Sequence, residues 1–223
     1  MEKILLITHA SAGFITLVTG IIAMIFPKRL NIHRPSGKVF YYAMWYVVVT
    51  AFILSVLKSN LFLFMIGTLV FYTNTMGLRC LKLYKSTKTV IGWKEWSIWI
   101  ITFLLIASVQ TYIITKIGFR IDGAFLVLNI FSVILISNLI QDLRLLLTKK
   151  NPRKDFLLAH VGKMGGTFIA AITAALVQNV QSEPIWIAWL LPTAIFTPVI
   201  VYYSRNIRSG KFWSKKRKPV EKL

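Results

Sequence analysis

The chain has 223 residues, 56% of them hydrophobic, and a formal net charge of +20. A soluble domain is about 45–50% apolar, so an excess gathered into long runs excludes an ordinary soluble fold and points to lipid. The charge does not mark a nucleic-acid binder, because Lys and Arg lie between apolar runs of spanning length.

Seven segments reach the roughly 20 residues that cross a bilayer at 1.5 Å per residue. They are 4–26, 39–57, 61–81, 96–115, 123–140, 156–180 and 185–203. The first is stopped by Pro27 and is too long for the apolar part of a signal peptide; Ala10-Ser11-Ala12, which mimics a cleavage site, lies inside it. Between the first two, residues 28–38 read as a basic turn, in which Pro35 fixes φ, Gly37 permits a tight bend and Ser36 caps the second span. The fifth segment is the shortest and carries Asn129, Ser132, Ser137 and Asn138, while 141–147 reads as an interfacial helical extension of it. The expected fold is all-α: a polytopic transmembrane bundle of seven spans over residues 1–204, followed by a basic tail over 205–223. The chain has no repeat of fixed period, and its single cysteine, Cys80, has neither a disulfide partner nor metal-type spacing.

Charge gives an independent test of this layout. Of the 27 Lys and Arg residues, 22 fall in the loops after odd-numbered spans and in the tail, 4 fall on the other side, and Lys163 lies inside the sixth span. This bias predicts an outer N-terminus and a cytoplasmic tail in a multi-pass protein of the plasma membrane. It also supports the fifth span, without which basic loops would lie on both sides. Trp93, Trp96 and Trp99 at the inner end of the fourth span, and Trp186, Trp189, Tyr202 and Tyr203 at the two ends of the seventh, suit the headgroup level. The tail, with Trp213 beside Lys215-Lys216-Arg217-Lys218, either rests on anionic lipid or only sets topology.

Polar groups inside spans are costly and each raises a functional question. His9 heads a stripe of Gly13, Thr16 and Gly20 that lets a neighbour approach, and it is either a second polar site or a donor to a neighbouring hydroxyl or carbonyl. In the sixth span His160, Met164, Thr167 and Ala171 share a face, and Lys163 lies about 60° away. Gly162 and Gly166 point the opposite way and are expected to pack on a neighbour. Lys163 either enters the bundle or snorkels to the inner surface. Asn74, Gln110 and Asn129 read as inter-helix hydrogen bonders. All seven acidic residues read as lying at ends or in loops, which counts against a proton relay on a buried carboxylate.

If the second and sixth spans are neighbours, His33, Arg34, His160, Lys163 and Met164 form a candidate ligand site at the cytoplasmic side. It would suit a lipid headgroup, a quinone or a cofactor propionate; alternatively these residues only make the turn and set topology. His9 and His160 cannot share a haem unless a helix is displaced or broken, since they differ in depth by roughly 15 Å while axial nitrogens lie within about 4 Å of each other. Three histidines also rule out two bis-histidine haems. One inner haem, on His33 with His160 or on His160 with a methionine, stays open.

A first-span histidine, His33-Arg34-x-x-Gly37 at the start of the second span, and His160 followed by Met164-Gly165-Gly166 and Thr173-Ala174 carry a likeness. The chain resembles a family of bacterial membrane proteins of unknown function (domain of unknown function, number 2306). The resemblance implies a bacterial multi-helix membrane protein and lends no catalytic residue. Three functional readings follow: a binder of a lipid headgroup, quinone or other small amphiphile; a membrane oxidoreductase with one haem or a quinone; and an assembly protein without a ligand.

Overall fold

A computed structural model describes residues 2–27, 29–86, 91–118, 123–147, 153–180 and 186–211. Among them are seven α-helices: α1 (Glu2–Ile25), α2 (Leu30–Leu57), α3 (Leu61–Lys85), α4 (Trp93–Tyr112), α5 (Gly123–Leu147), α6 (Arg153–Asn179) and α7 (Trp186–Arg208). All seven are long and apolar enough to cross a membrane. Local chemistry sets several of their ends. Asn60 accepts from the Leu63 amide at 2.9 Å and starts α3. Glu95 reaches back to the Gly92 amide at 2.9 Å and starts α4. A π-helical turn, Ile113–Ile117, continues α4 and is closed by Gly118 at φ 74°, a conformation that favours glycine.

One boundary differs clearly from that expected. Residues 30–38 are helical rather than a turn, so α2 begins nine residues earlier than 39. Pro35 sits in the second turn, where its ring removes a single bond to the Asn31 carbonyl and its fixed φ already suits a helix. Ser36 does not cap α2 but donates to the Ile32 carbonyl at 2.9 Å. The connection shrinks to a few residues, with the Arg29 amide bonded to the Phe26 carbonyl at 3.1 Å. As expected, 141–147 continues α5 as a helix to Leu147; one face of it, Asp142 and Leu146, is buried, while Gln141, Arg144 and Leu147 are exposed.

Helix α3 is the most enclosed of the seven and α1 and α7 the least. The α1–α2 hairpin and α6 pack on one side of α3, α4 and α5 on the other, and α7 on α6. One apolar cluster, including Met65, Leu69, Tyr72, Ile106, Val109, Leu135 and Leu139, joins α3, α4 and α5. A second, around Phe40, Met44, Val48, Val70 and Phe168, joins α2, α3 and α6. Small residues set the closest approaches. Gly20 lies against the Phe168 ring, and Phe168 also meets Phe40 and Phe196 with centroids 6.4 and 5.1 Å away. Gly165 lies against Ile200 of α7.

The packing face expected for Gly162 and Gly166 is open, since a Cβ at either would meet nothing within 4 Å, and Gly165 takes that role instead. The α1 stripe is likewise tight only at its lower end, because Thr16 and Gly20 are buried while a Cβ at Gly13 meets nothing. Gly20→Val should therefore destabilise the protein by about 1–3 kcal/mol through overpacking, and Gly13→Val should leave it unchanged. Thermal unfolding of the two variants in detergent provides the comparison.

Candidate functional site

The core-facing stripe of α5 is Leu128, Ser132, Leu135, Leu139, Asp142 and Leu146, spaced alternately four and three residues apart, and all are buried. Asp142, 3% exposed, therefore points into the bundle. It accepts from the Tyr72 hydroxyl of α3 and, at 2.9 Å, from the Lys163 ammonium of α6. Lys163 is 5% exposed, donates also to Asn138 Oδ1 at 3.1 Å, and stands 5.1 Å from the centre of the Tyr72 ring. Lys163 thus does not snorkel to the surface. The acidic residues do lie toward helix ends, Asp142 in the last two turns of α5, but an end position does not keep this carboxylate at the surface. A carboxylate withdrawn from water needs a cation and further donors to hold it, and Lys163 and Tyr72 supply both. Glu95, in the first turn of α4, is likewise fully buried and paired with Arg79, whose Nε donates to it at 2.6 Å.

The sequence-read site divides. His33 and His160 both lie toward the end of the bundle that carries the α1–α2 connection (the basic end), each bonded to a different neighbouring helix. His33 Nδ1 donates to the Ala23 carbonyl of α1 and His160 Nδ1 to the Gly77 carbonyl of α3, both at 2.9 Å. Met164 packs against Gly77 beside them, where a Cβ would fall 2.8 Å from its sulfur. Arg34 is exposed, and Lys163 turns away to Asp142. His9 stands near the opposite end and meets Thr50 Oγ1 of α2 at 2.7 Å. The Thr50 hydroxyl donates to the Tyr46 carbonyl at 2.8 Å, so His9 is the donor to Thr50, as its structural reading holds. Asn74 bonds to the Tyr41 carbonyl and Gln110 to Ser132, between helices as expected. Asn129 instead donates to Phe125 of its own helix.

A cleft of about 410 Å³ opens at the basic end, between the last turns of α1 and α7. Ile25, Phe26, Pro27, Arg29, Tyr202, Tyr203 and Asn206 line it. The Arg29 guanidinium stands 5.5 Å from the Phe26 ring centre. Sequence reading placed the two tyrosines at headgroup level but did not pair them with Arg29, because nothing in the sequence shows that α1 and α7 end side by side. Trp213 and Lys215 to Lys218 lie outside the described residues.

No family model, curated protein or solved structure matches the chain.

The Lys163–Asp142 pair should show the asymmetry of a buried ion pair. Lys163→Met alone leaves a bare carboxylate and should cost about 3–5 kcal/mol, whereas Lys163→Met with Asp142→Leu should recover most of that loss. Unfolding midpoints in one detergent measure both.

Proposed function

We propose that the protein is a multi-pass protein of a bacterial plasma membrane, with its N-terminus outside and its tail in the cytoplasm, that binds the anionic head of a membrane amphiphile in the cleft between α1 and α7. Kinship with the bacterial family of unknown function belongs to this reading and rests on the residues quoted for it. The observation that carries the proposal is the lining of the cleft. A guanidinium, an amide and two phenols stand beside Ile25 and Phe26, so polar donors and an apolar wall meet where a headgroup joins its chain. A guanidinium makes charge-assisted, bidentate bonds to phosphate. The 22-to-4 distribution of Lys and Arg supports an inner location for this end. Cytoplasmic leaflets are the anionic ones, so the charge that sets topology also attracts the ligand.

The site moves from that read in the sequence. Arg29, Tyr202, Tyr203 and Asn206 replace Arg34 and Lys163, because Lys163 is committed to Asp142. Phosphatidylglycerol should remain bound through delipidation with a zwitterionic detergent and phosphatidylcholine should wash away, as read by mass spectrometry of the extracted protein. Arg29→Ala should weaken phosphatidylglycerol retention about tenfold or more, the worth of one charge-assisted bond. Equal retention of the two lipids, or an Arg29→Ala protein that holds phosphatidylglycerol as well as the parent, contradicts the proposal. For orientation, Ser209→Cys should react with a membrane-impermeant maleimide only in opened cells.

A further inference from the structure

The two walls of the cleft differ in chemistry. One is built by the α1–α2 connection and carries the charge. Arg29 is the last residue before α2, and its amide is bonded to the Phe26 carbonyl at 3.1 Å. No side chain caps α2 there, so the positive end of a 28-residue helix lies beside the guanidinium. Both features favour an anion, and a guanidinium takes two oxygens of a phosphate at once. A phosphate held on this wall leaves the rest of its headgroup to the other.

The opposite wall is α7, and it is polar without charge. Tyr202 and Asn206 are four residues apart and so stand one above the other on the same helix face. Among the described residues neither side chain makes a hydrogen bond within the protein; the Ser209 hydroxyl reaches only the Asn206 main-chain carbonyl, at 3.2 Å. A phenol hydroxyl both donates and accepts, and an amide does the same with separate atoms. Groups of this kind match the hydroxyls of a polyol, which also do both. An ammonium head finds no counterpart. No Asp or Glu lines the cleft, and the Phe26 ring, which could attract a quaternary ammonium, already has the Arg29 guanidinium 5.5 Å from its centre. A bare phosphate monoester would satisfy Arg29 and leave Tyr202 and Asn206 to water.

We infer that the cleft selects a phosphodiester amphiphile whose head carries free hydroxyls, a polyol such as glycerol or inositol, and that Tyr202 and Asn206 read those hydroxyls. Specificity of this kind rests on the cleft being the headgroup site, as proposed above, and adds a division of labour to it. Arg29 holds any phosphate, and α7 chooses among the esters.

The experiment compares dioleoyl phosphatidylglycerol with dioleoyl phosphatidylethanol, which bears the same charge and lacks the hydroxyls. An equimolar mixture is offered to the full chain in a zwitterionic detergent, and the retained lipids are quantified by mass spectrometry. The parent protein should retain phosphatidylglycerol about threefold or more over phosphatidylethanol. In a Tyr202→Phe, Asn206→Leu double variant that ratio should fall to about one, and Arg29→Ala should lower retention of both lipids. Equal retention by the parent protein overturns the inference, as does a preference that survives in the double variant. Equal retention that still falls in Arg29→Ala removes only the choice of head, whereas retention indifferent to Arg29 removes the headgroup site as well. Soluble glycerol phosphate at the concentration of the lipids should displace neither, because it lacks the chains that meet Ile25 and Phe26. Displacement by it overturns the membrane source.

Discussion

The bond between Lys163 and Asp142 sets the arrangement of the lower half of the bundle. In a hydrocarbon environment neither charge has water to return to, so each must find the other and the remaining donors must be filled. That requirement fixes the rotation of two helices. With Lys163 turned toward α5, helical periodicity places His160 about 60° around α6, facing α3, and Gly165 about 200° around, facing α7. The contacts agree, since His160 meets the Gly77 carbonyl and Gly165 meets Ile200. Tyr72 ties the same carboxylate to α3, so one acidic side chain joins three helices that would otherwise slide on apolar surfaces.

Charge at the basic end is sorted rather than pooled. Lys163 and Arg79 are neutralised by Asp142 and Glu95 inside the bundle. Arg29 stands in an open cleft with tyrosines and an amide, where it can meet a phosphate. His33 and His160 each commit Nδ1 to a main-chain carbonyl, of α1 and of α3 respectively. A single polar site that gathered all of these groups would place ammonium, guanidinium and imidazole side by side. The fold separates them by giving each its own partner helix.

The sequence-read site was half legible for the same reason. That His33 and His160 both fall toward the basic end follows from span order and residue count, which are linear properties. That Lys163 belongs to Asp142 does not, because the two are joined across a gap between helices that only packing closes. A signal was nevertheless present. Extending the alternation of Leu128, Ser132, Leu135 and Leu139 by three residues lands on Asp142, so the apolar stripe of α5 carried a carboxylate in phase. Reading Gln141 onward as an interfacial extension hid it. The stretch 30–38 was misread because proline, glycine and serine mark turns in water, whereas near a helix start proline costs a single bond, and a serine hydroxyl can fold back on the preceding turn.

The sequence by itself determined the number of spanning helices, the side on which positive charge accumulates and several helix ends, because hydropathy, net charge and capping act along the chain or within one turn of it. Only the tertiary structure decided which polar groups are consumed and which remain to bind something. Gly20 and Gly165 look like Gly13 and Gly162 in sequence, yet the first two are in tight contact and the others are open. Lys163 and Arg29 are both cations near one end, yet one is buried in an ion pair and the other lines a cleft. Partner choice depends on the rotation and spacing of helices, which the buried charge pairs and close-packed glycines impose together and no local pattern encodes.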